Sequence, residues 1–584
     1  MYRLFILVTV ILAACIPLVV SGYTVNFLTQ IFLFAFLASA WNLMALTGLV
    51  SLGHAAFFGI GGYATAWLYV TLSINPIWGA LTGSVFAMFL AFVVYWIAFR
   101  CGLKGIYFSG LTLVLAEGLR FLAINSPILG RSQGLEIVNL HLTNTVLYGV
   151  SLSLMIFLMV VTWMLLRSPL GYRLQAVREN EVAAEALGVS TFRVKLTATL
   201  LSAGFVAVGG SLHALLLRFV EPESDFGLSI SLNLLLGTFL GGTGTVLGPP
   251  IGIAVLFGLR ELIARLGELF SLGSSGIYAL QQVLYGAVLM LVVYALPEGL
   301  VNRCRRFFEI RGFFQKDINN ENVNLTVTQS RKTQAHKFDG ELLKVVGVSR
   351  TFSGISALTR VSFNMKQGEI LGLIGPNGAG KTTLFNTISG IFPAQEGMLI
   401  YKGNQMQGLP PNEVCKLGIA RTFQIVQPFA GLTVFENALV GALSKYSDMA
   451  SARAAALNAL SQVGLLPKQN NPAGSLTLQD RKMLEFARAL ATQPELILLD
   501  EVMAGLNPIE QENIGDKILE INKSGISFLL VEHAMRAVMR LSNRIVVLNN
   551  GEVIAEGTPD QITANENVIS VYLGSGIKSG DSAN

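Results

Sequence analysis

EILGLIGPNGAGKTT, residues 369–383, is the stretch that decides the fold of the second half of this chain. A strand-like apolar run leads directly into a GxxxxGK[ST] loop, and helix-forming residues follow. Glycines there let backbone N–H groups wrap a phosphate at a helix N-terminus, while Lys381 reaches the β- and γ-phosphates and the Thr382 hydroxyl ligates Mg²⁺. The loop predicts a nucleotide site formed by Gly375, Pro376, Asn377, Gly378, Ala379, Gly380, Lys381, Thr382 and Thr383.

Two acidic residues end another apolar run about 120 residues further along the chain. This run, Leu496-Ile-Leu-Leu-Asp500-Glu501, is typical of a buried strand. Asp500 is expected to hold Mg²⁺, directly or through water, and Glu501 to polarise the attacking water. Together with the P-loop, the acidic pair predicts hydrolysis of ATP with Mg²⁺ as cofactor.

The composition excludes an ordinary soluble enzyme. Only 13% of the residues are charged and 52% are hydrophobic, whereas soluble domains carry about 25% charged residues. Residues 1–300 hold 24 of the 77 charged residues, so the first half is suited to lipid and the second half to water. The net charge of +5 is too small to indicate nucleic-acid binding. Four scattered cysteines without CxxC spacing argue against a metal or redox site.

Membrane-spanning segments are predicted throughout the first half. Apolar runs long enough for a hydrocarbon layer of about 30 Å occupy residues 4–20, 26–47, 55–73, 77–99, 105–124, 145–166, 197–217, 228–258 and 277–297. The first run could also be a signal peptide, but no clean cleavage site follows and a membrane anchor is favoured. Residues 167–195 and 303–311 are rich in Lys and Arg and should both be cytoplasmic. An even number of crossings must separate them, so we expect the glycine-rich run 228–258 to be split, giving about nine to ten spans.

Several polar residues lie inside these apolar runs. Polar groups are costly in a bilayer, so they are candidates for function, although hydrogen bonds between helices are their commoner role. The candidates are Asn42, His54, Glu117, His213 and Asn233. Glu117 and Arg120, three residues apart, are expected to pair near a membrane end.

From residue 342 onwards the chain resembles the nucleotide-binding domain of ATP-binding-cassette (ABC) transporters. Gln424 in Arg421-Thr-Phe-Gln matches the family's Q-loop, and the resemblance implies that it senses the γ-phosphate through Mg²⁺ and contacts the membrane subunit. His533, about 30 residues past the acidic pair, matches the switch histidine that binds the γ-phosphate, and Phe352 matches the aromatic residue that stacks on adenine. The D-loop match consists of Ala504, Gly505, Leu506 and Asn507.

The family's signature motif departs from its usual form. Where LSGGQ is expected, this chain reads Leu476, Thr477, Leu478, Gln479 and Asp480. Thr477 can replace the serine hydroxyl, but the glycines that allow close backbone approach are replaced. We therefore expect hydrolysis to run mainly at the site built from Lys381, Glu501 and His533 of this chain and the signature of a partner.

The first half resembles the permease of the branched-chain (hydrophobic) amino acid uptake family. Matching pieces include Trp41-Asn42, residues 47–59, Gly105-Ile-Tyr-Phe, Ser168-Pro-Leu-Gly and residues 241–252. The cytoplasmic loop resembles the importer coupling segment, EAA-x3-G, in Ala183, Ala184 and Gly188. The chain thus looks like a permease fused to the ATPase of the same family.

The resemblance implies a multi-domain fold class, an all-α polytopic membrane domain followed by an α/β P-loop ABC ATPase domain. The predicted boundaries are 1–311 for the permease domain, with a coupling segment near 178–188, 312–340 for a linker, 341–575 for the nucleotide-binding domain and 576–584 for a flexible tail. The implied location is the bacterial inner membrane, with the ATPase in the cytoplasm.

The resemblance further implies three partners for this half-transporter: a second permease subunit, a second ATPase subunit and an extracytoplasmic substrate-binding protein. Branched-chain amino acids are the expected small-molecule substrates, and urea and short amides are alternatives. A membrane-anchored ATPase acting as a sensor or exporter stays open, although the loops are too short for the usual exporter. No part of the sequence selects the substrate.

Overall fold

The computed structural model describes residues 15–20, 22–138, 140, 142–269, 274–295, 299–310 and 340–573. These residues form two compact units, one within residues 1–178 and 192–310 and the other from 179–191 and 340–573. The segment 179–191 therefore packs with the second unit although its flanks lie in the first. The predicted linker, the C-terminal tail and most of the first apolar run lie outside the described residues.

The first unit is helical. Its helices are α1 Gly22–Ala45, α2 His54–Leu72, α3 Pro76–Arg100, α4 Gly105–Asn125, α5 Asn144–Leu166, α6 Pro169–Glu179, α8 Thr191–Leu217, α9 Pro222–Asp225, α10 Leu228–Gly241, α11 Gly248–Leu269, α12 Ser274–Ala295 and α13 Gly299–Ile310. The short helix α7, Glu181–Ala186, and the last residue of α6 belong to the second unit. Two short antiparallel strands, β1 Leu135–Glu136 and β2 Phe219–Val220, pair with each other. Among the described residues, seven helices are long and apolar enough to cross a membrane.

Small residues allow these helices to approach each other closely. A Cβ atom on Gly61 of α2 would lie 1.8 Å from the carbonyl oxygen of Ala207 in α8, so only glycine fits there. The oversized run 228–258 is interrupted between Gly241 and Gly248, inside the glycine-rich stretch where the sequence predicted a break. The total of nine to ten crossings stays a prediction, because the first run is outside the described part of the chain.

The second unit contains two sheets. Its strands are β3 Glu341–Phe352, β4 Ile355–Lys366, β5 Ile370–Ile374, β6 Glu396–Tyr401, β7 Asn404–Gln405, β8 Ile419–Arg421, β9 Leu496–Asp500, β10 Ser527–Val531, β11 Arg544–Asn549 and β12 Glu552–Gly557. One sheet has the order β12-β11-β5-β10-β9-β8, in which all neighbours except β11 and β12 are parallel. The other is antiparallel, in the order β4-β3-β6-β7.

Helices surround these sheets. They are α14 Lys381–Ile388, α15 Pro411–Leu417, α16 Val434–Ala442, α17 Met449–Gln462, α18 Leu478–Ala491, α19 Pro508–Asn522, α20 Met535–Leu541, α21 Pro559–Thr563 and α22 Glu566–Leu573. All residues of β5, β9 and β10 are buried, as expected for parallel strands covered on both faces. The fold class predicted from the sequence is confirmed.

Candidate functional site

Four adjacent parallel strands bring the predicted nucleotide-binding residues to one edge of the larger sheet. The P-loop follows β5, His533 follows β10, the acidic pair ends β9, and Gln424 follows β8. Because the carboxyl ends of parallel strands meet at one edge, ligands of such sheets bind there. Residues that are far apart in the sequence are thus collected into one site.

The P-loop backbone can be formed only by small residues. Gly380, the N-cap of α14, has a φ of +98°, and a Cβ atom there would lie 2.4 Å from the carbonyl oxygen of Ala357. Lys381 is largely buried, and its Nζ donates to the carbonyl oxygens of Gly375 at 2.6 Å and Pro376 at 2.9 Å. Burial lowers the pKa of Lys381, opposed by Glu501 and Asp500. The ammonium is held at the loop that would surround the phosphates.

Phe352 ends β3 and lies in a hairpin beside the P-loop. It pairs with Ile355, and two residues later Ala357 borders Gly380. The ring is 36% exposed and contacts Phe392 edge to face, with centroids 5.4 Å apart. Arg350 lies over the same ring at 4.9 Å. An aromatic surface is therefore available near the phosphate loop, and its stacking on adenine stays a prediction.

The carboxylate of Glu501 contacts the other two predicted catalytic residues, Gln424 and His533. Gln424 Nε2 donates to Glu501 Oε2 at 2.7 Å, and His533 Nε2 lies 3.0 Å from Glu501 Oε1. Glu501 has a left-handed backbone, with φ of +50°, which costs a non-glycine residue roughly 1–3 kcal/mol. Strain of this kind is typical of functional sites, where neighbouring contacts hold the residue in place.

Asp500 meets the requirements for a residue that holds a hydrated Mg²⁺. Its Oδ2 accepts a hydrogen bond from Arg421 at 3.1 Å, while Oδ1 is buried without a hydrogen-bond partner. Burial raises the pKa of Asp500, and Arg421 opposes this shift. An orphaned carboxylate oxygen at the phosphate edge suits a water-mediated or direct metal contact, with Thr382 as the second protein ligand. Sequence reasoning missed Arg421, since nothing in its pattern indicated that it would be buried.

We expect Asp500→Asn to raise the Mg²⁺ concentration needed for half-maximal ATP hydrolysis, because the amide has no charge to attract the metal. Activity at a fixed low Mg²⁺ concentration should fall about ten- to a hundredfold. The measurement is ATPase rate against Mg²⁺ at constant ATP. Asp516→Asn is the control, because this exposed carboxylate pairs with Arg540 on the surface. An unchanged Mg²⁺ dependence of Asp500→Asn would contradict the assignment.

The degenerate signature motif begins helix α18. Thr477 is its N-cap, and Thr477 Oγ1 accepts from the backbone N–H of Asp480 at 3.2 Å. The side chain of Leu478 is 47% exposed, where the family pattern has a glycine. Within the D-loop, Asn507 caps α19 through reciprocal bonds with Glu510. Both motifs are folded as helix starts, and their roles at a nucleotide stay predictions.

Segment 179–191, which contains most of the predicted coupling segment 178–188, packs on the cassette within the second unit. Asn180 caps α7 and its Nδ2 donates to Gln427 Oε1, while the backbone N–H of Gly431 donates to Glu179 Oε2 at 3.2 Å. Ala183 and Ala184 are both fully buried. Their small side chains allow close packing of the short helix, as the sequence predicted for a docking segment.

Gly188, the last residue of the EAA-x3-G pattern, lies in a position that only glycine can occupy. Its φ is +85°, and an added Cβ atom would lie 2.6 Å from Ser444 Cβ and 3.4 Å from Cys415 Sγ. Ser444 follows α16 and Cys415 lies in α15. The glycine of the EAA-x3-G pattern is therefore explained by both backbone geometry and close contact.

Arg178, directly before the segment, binds the interruption between α10 and α11 within the first unit. Its NH2 donates to Thr243 Oγ1 at 2.9 Å. Asn42 at the end of α1 secures the same stretch, accepting from Gly244 N at 2.9 Å and donating to Thr245 O at 3.0 Å. Asn42 was singled out from the sequence by its cost in a membrane, and the structure gives it a structural hydrogen-bonding role.

Three of the other four polar candidates of the membrane half lie close to a polar side chain. His54 lies 2.8 Å from Ser202, and Glu117 pairs with Arg120 at 2.7 Å as the sequence predicted. His213 lies 3.7 Å from Asp225. The side-chain oxygen of Asn233 is buried without a hydrogen-bond partner. Most of these residues thus have structural contacts within the first unit.

Comparison with known proteins gives matches for both halves. The profile described as branched-chain amino acid transport system / permease component matches residues 23–293. The ABC transporter profile matches residues 358–504, and the profile of the branched-chain amino acid ATP-binding cassette transporter matches 552–578.

Individual relatives cover the second half of the chain. The high-affinity branched-chain amino acid transport ATP-binding protein LivG of Escherichia coli K12 is 40% identical over 249 residues, which are 40% of this chain and 98% of that protein. The corresponding BraF of Pseudomonas aeruginosa is 36% identical over 249 residues, again 40% of this chain and 98% of that protein. A solved nucleotide-free ATP-binding cassette from an ABC transporter is 31% identical, with a TM-score of 0.38, covering 40% of this chain and all of that chain.

Proposed function

Because the chain belongs to the branched-chain amino acid ABC transporter family and joins a permease and an ATPase domain, we propose that it is half of an ATP-driven importer for branched-chain or other hydrophobic amino acids. A second permease and ATPase half and an extracytoplasmic binding protein complete the complex. The domain boundaries proposed are 1–311, 312–340 and 341–575, with segment 179–191 of the first domain docked on the cassette.

The loop 424–431 carries this proposal, because it contacts both the catalytic glutamate and the coupling segment. At its start Gln424 bonds to Glu501, and further along Gln427 and Gly431 bond to Asn180 and Glu179. A change in the position of Gln424 is therefore passed directly to a segment of the permease. This is the arrangement required to couple ATP hydrolysis to movement of membrane helices.

Hydrolysis follows from the groups gathered at the sheet edge. The P-loop amides and Lys381 hold the phosphates, and Glu501 orients and polarises the attacking water while His533 contacts the γ-phosphate. When bound, Mg²⁺ neutralises phosphate charge, and Thr382, Asp500 and Gln424 are the residues that would hold it. The signature of the second cassette closes the site from the opposite side.

The basic loop supports a cytoplasmic location for the ATPase. Segment 179–191 is docked on the cassette and lies between Lys and Arg residues that the positive-inside rule assigns to the cytoplasm; these are Arg167, Arg173, Arg178, Arg193 and Lys195. The ATPase and its nucleotide supply are then on the same side. We place the chain in the bacterial inner membrane as a multi-pass protein.

Uptake of radiolabelled leucine and urea by the tag-purified complex in proteoliposomes tests this function. We expect ATP-dependent leucine uptake, which Lys381→Ala reduces to the level without ATP because the phosphates lose their ammonium partner. Lys416→Ala is the matched control, since this lysine makes only a surface pair with Glu413. Uptake of urea alone would replace the substrate proposal. Lys381-dependent ATPase activity with no uptake of either would favour a sensor.

A further inference from the structure

Three buried charged residues lie along one side of the signature helix α18. Lys482, Glu485 and Arg488 are only 4%, 5% and 3% exposed. A spacing of three residues keeps side chains on neighbouring positions of a helix surface. Charged groups are expensive to bury unless they are paired or hydrogen-bonded, so each requires a defined partner. None was singled out by its motif.

Glu485 and Arg488 hold the loop that contacts the coupling segment. The backbone N–H of Gln427 donates to Glu485 Oε1 at 2.9 Å, and Arg488 NH1 donates to the carbonyl oxygen of Gln427 at 2.8 Å. The guanidinium of Arg488 also lies 4.2 Å from the centre of the Phe429 ring. Both backbone polar groups of Gln427, its N–H and its carbonyl oxygen, are therefore fixed to α18.

Lys482 reaches the other part of the site, the catalytic glutamate. Its Nζ donates to the carbonyl oxygen of Glu501 at 3.2 Å. The backbone N–H of Glu501 donates to Val531 at 2.9 Å. The left-handed backbone of Glu501 is thus fixed on its two sides, by a strand and by the signature helix, and loss of either contact would free the peptide to rotate.

Glu532 compensates the buried charge of Lys482. It is 3% exposed, and its Oε1 accepts from the backbone N–H of Met503 at 2.7 Å. Burial raises the pKa of Glu532 to about 7, and the nearby Lys482 opposes this shift. Burial likewise lowers the pKa of Lys482, opposed first by Glu532. The two residues connect the signature helix to the turn between Glu501 and the D-loop.

We infer that Lys482 is a positioning residue for ATP hydrolysis, which ties the signature helix to the backbone of Glu501. This inference rests on the proposed ATPase function. The signature at the start of α18 would face the ATP bound by the second cassette, whereas Glu501 acts on the ATP at this chain's own P-loop. Lys482 therefore links groups that serve two different ATP sites.

Lys482→Met tests the inference, because methionine keeps an unbranched side chain and removes the donor. We expect kcat for ATP to fall about tenfold while KM for ATP changes less than about twofold, since the P-loop is untouched. Lys482→Arg restores a donor and should recover at least half of the activity. Lys517→Met, which removes a surface pair with Glu520, is the control.

Glu532→Gln provides a second variant in case Lys482→Met does not fold. It keeps an acceptor for Met503 and removes the compensating charge, so kcat should again fall with KM little changed. Wild-type kcat in both variants would overturn the inference. It would also be overturned if the fall in kcat were accompanied by a lower melting temperature and Lys482→Arg recovered neither. Lys381→Ala distinguishes failure of the inference about Lys482 from failure of the proposed ATPase function. Hydrolysis that does not depend on Lys381 would refute the proposed function itself.

Discussion

Glu501→Gln is expected to stop leucine uptake almost entirely while ATP still binds. The amide preserves the size of the side chain but cannot polarise the attacking water, and loss of a general base typically lowers a rate about a hundredfold or more. Gln424 and His533 both contact this carboxylate, so the substitution changes the group that connects them. The measurements are uptake and ATPase rates of the reconstituted complex, together with ATP affinity.

The degenerate signature makes the effect of this variant asymmetric. In the proposed complex, Leu478 and Gln479 would replace the signature glycines at the ATP site of a second cassette, so that site is expected to contribute little hydrolysis. Replacing the equivalent glutamate of the second ATPase should therefore leave most uptake intact. Glu520→Gln serves as control, since Glu520 pairs with Lys517 at the surface. Substantial uptake by Glu501→Gln would show that the other site drives transport.

The meeting of the candidate catalytic residues at one sheet edge was predictable, because each belongs to a motif that follows a strand-like run. Lys381, Asp500, Glu501 and His533 follow apolar strand-like runs, and parallel strands bring their carboxyl ends together. The interruption of the run 228–258 was likewise predictable from glycines and from counting crossings.

Residues that support the site could not be found in the sequence. No motif singled out Lys482 or Glu532, and their burial is seen only in the folded structure. Arg421 marked the position of Gln424, but its contact with Asp500 depends on the pairing of β8 with β9. Charged residues carry no periodic signal for burial, because they are buried only where tertiary partners compensate them.

In the membrane half, hydrogen bonding gives Asn42 the structural role that the sequence analysis named as the commoner one. Asn42 was a candidate for function because of its cost in lipid, and both ends of its amide bond to the stretch between α10 and α11. Arg178 binds that stretch as well. Asn42 and Arg178 thus both hold the glycine-rich break within the first unit.

Gly188→Ala is expected to uncouple uptake from hydrolysis. Alanine at position 188 would have to keep a φ of +85°, and its Cβ atom would lie 2.6 Å from Ser444 Cβ. Overpacking of this kind typically costs about 1–3 kcal/mol. Because the catalytic residues are unaffected, ATPase activity should stay within about twofold, whereas leucine transported per ATP should fall about tenfold. Both quantities are measured in the same proteoliposomes.

The contact with Ser444 allows the cause to be tested directly. In the double variant Gly188→Ala, Ser444→Gly, the colliding atom is removed but the left-handed backbone remains, so coupling should recover in part. Gly403→Ala is the matched control, because Gly403 has a φ of +78° and nothing within 4 Å of the added Cβ atom. A wild-type coupling ratio in Gly188→Ala, or no recovery in the double variant, would mean that the fit of Gly188 against the cassette does not transmit the motion.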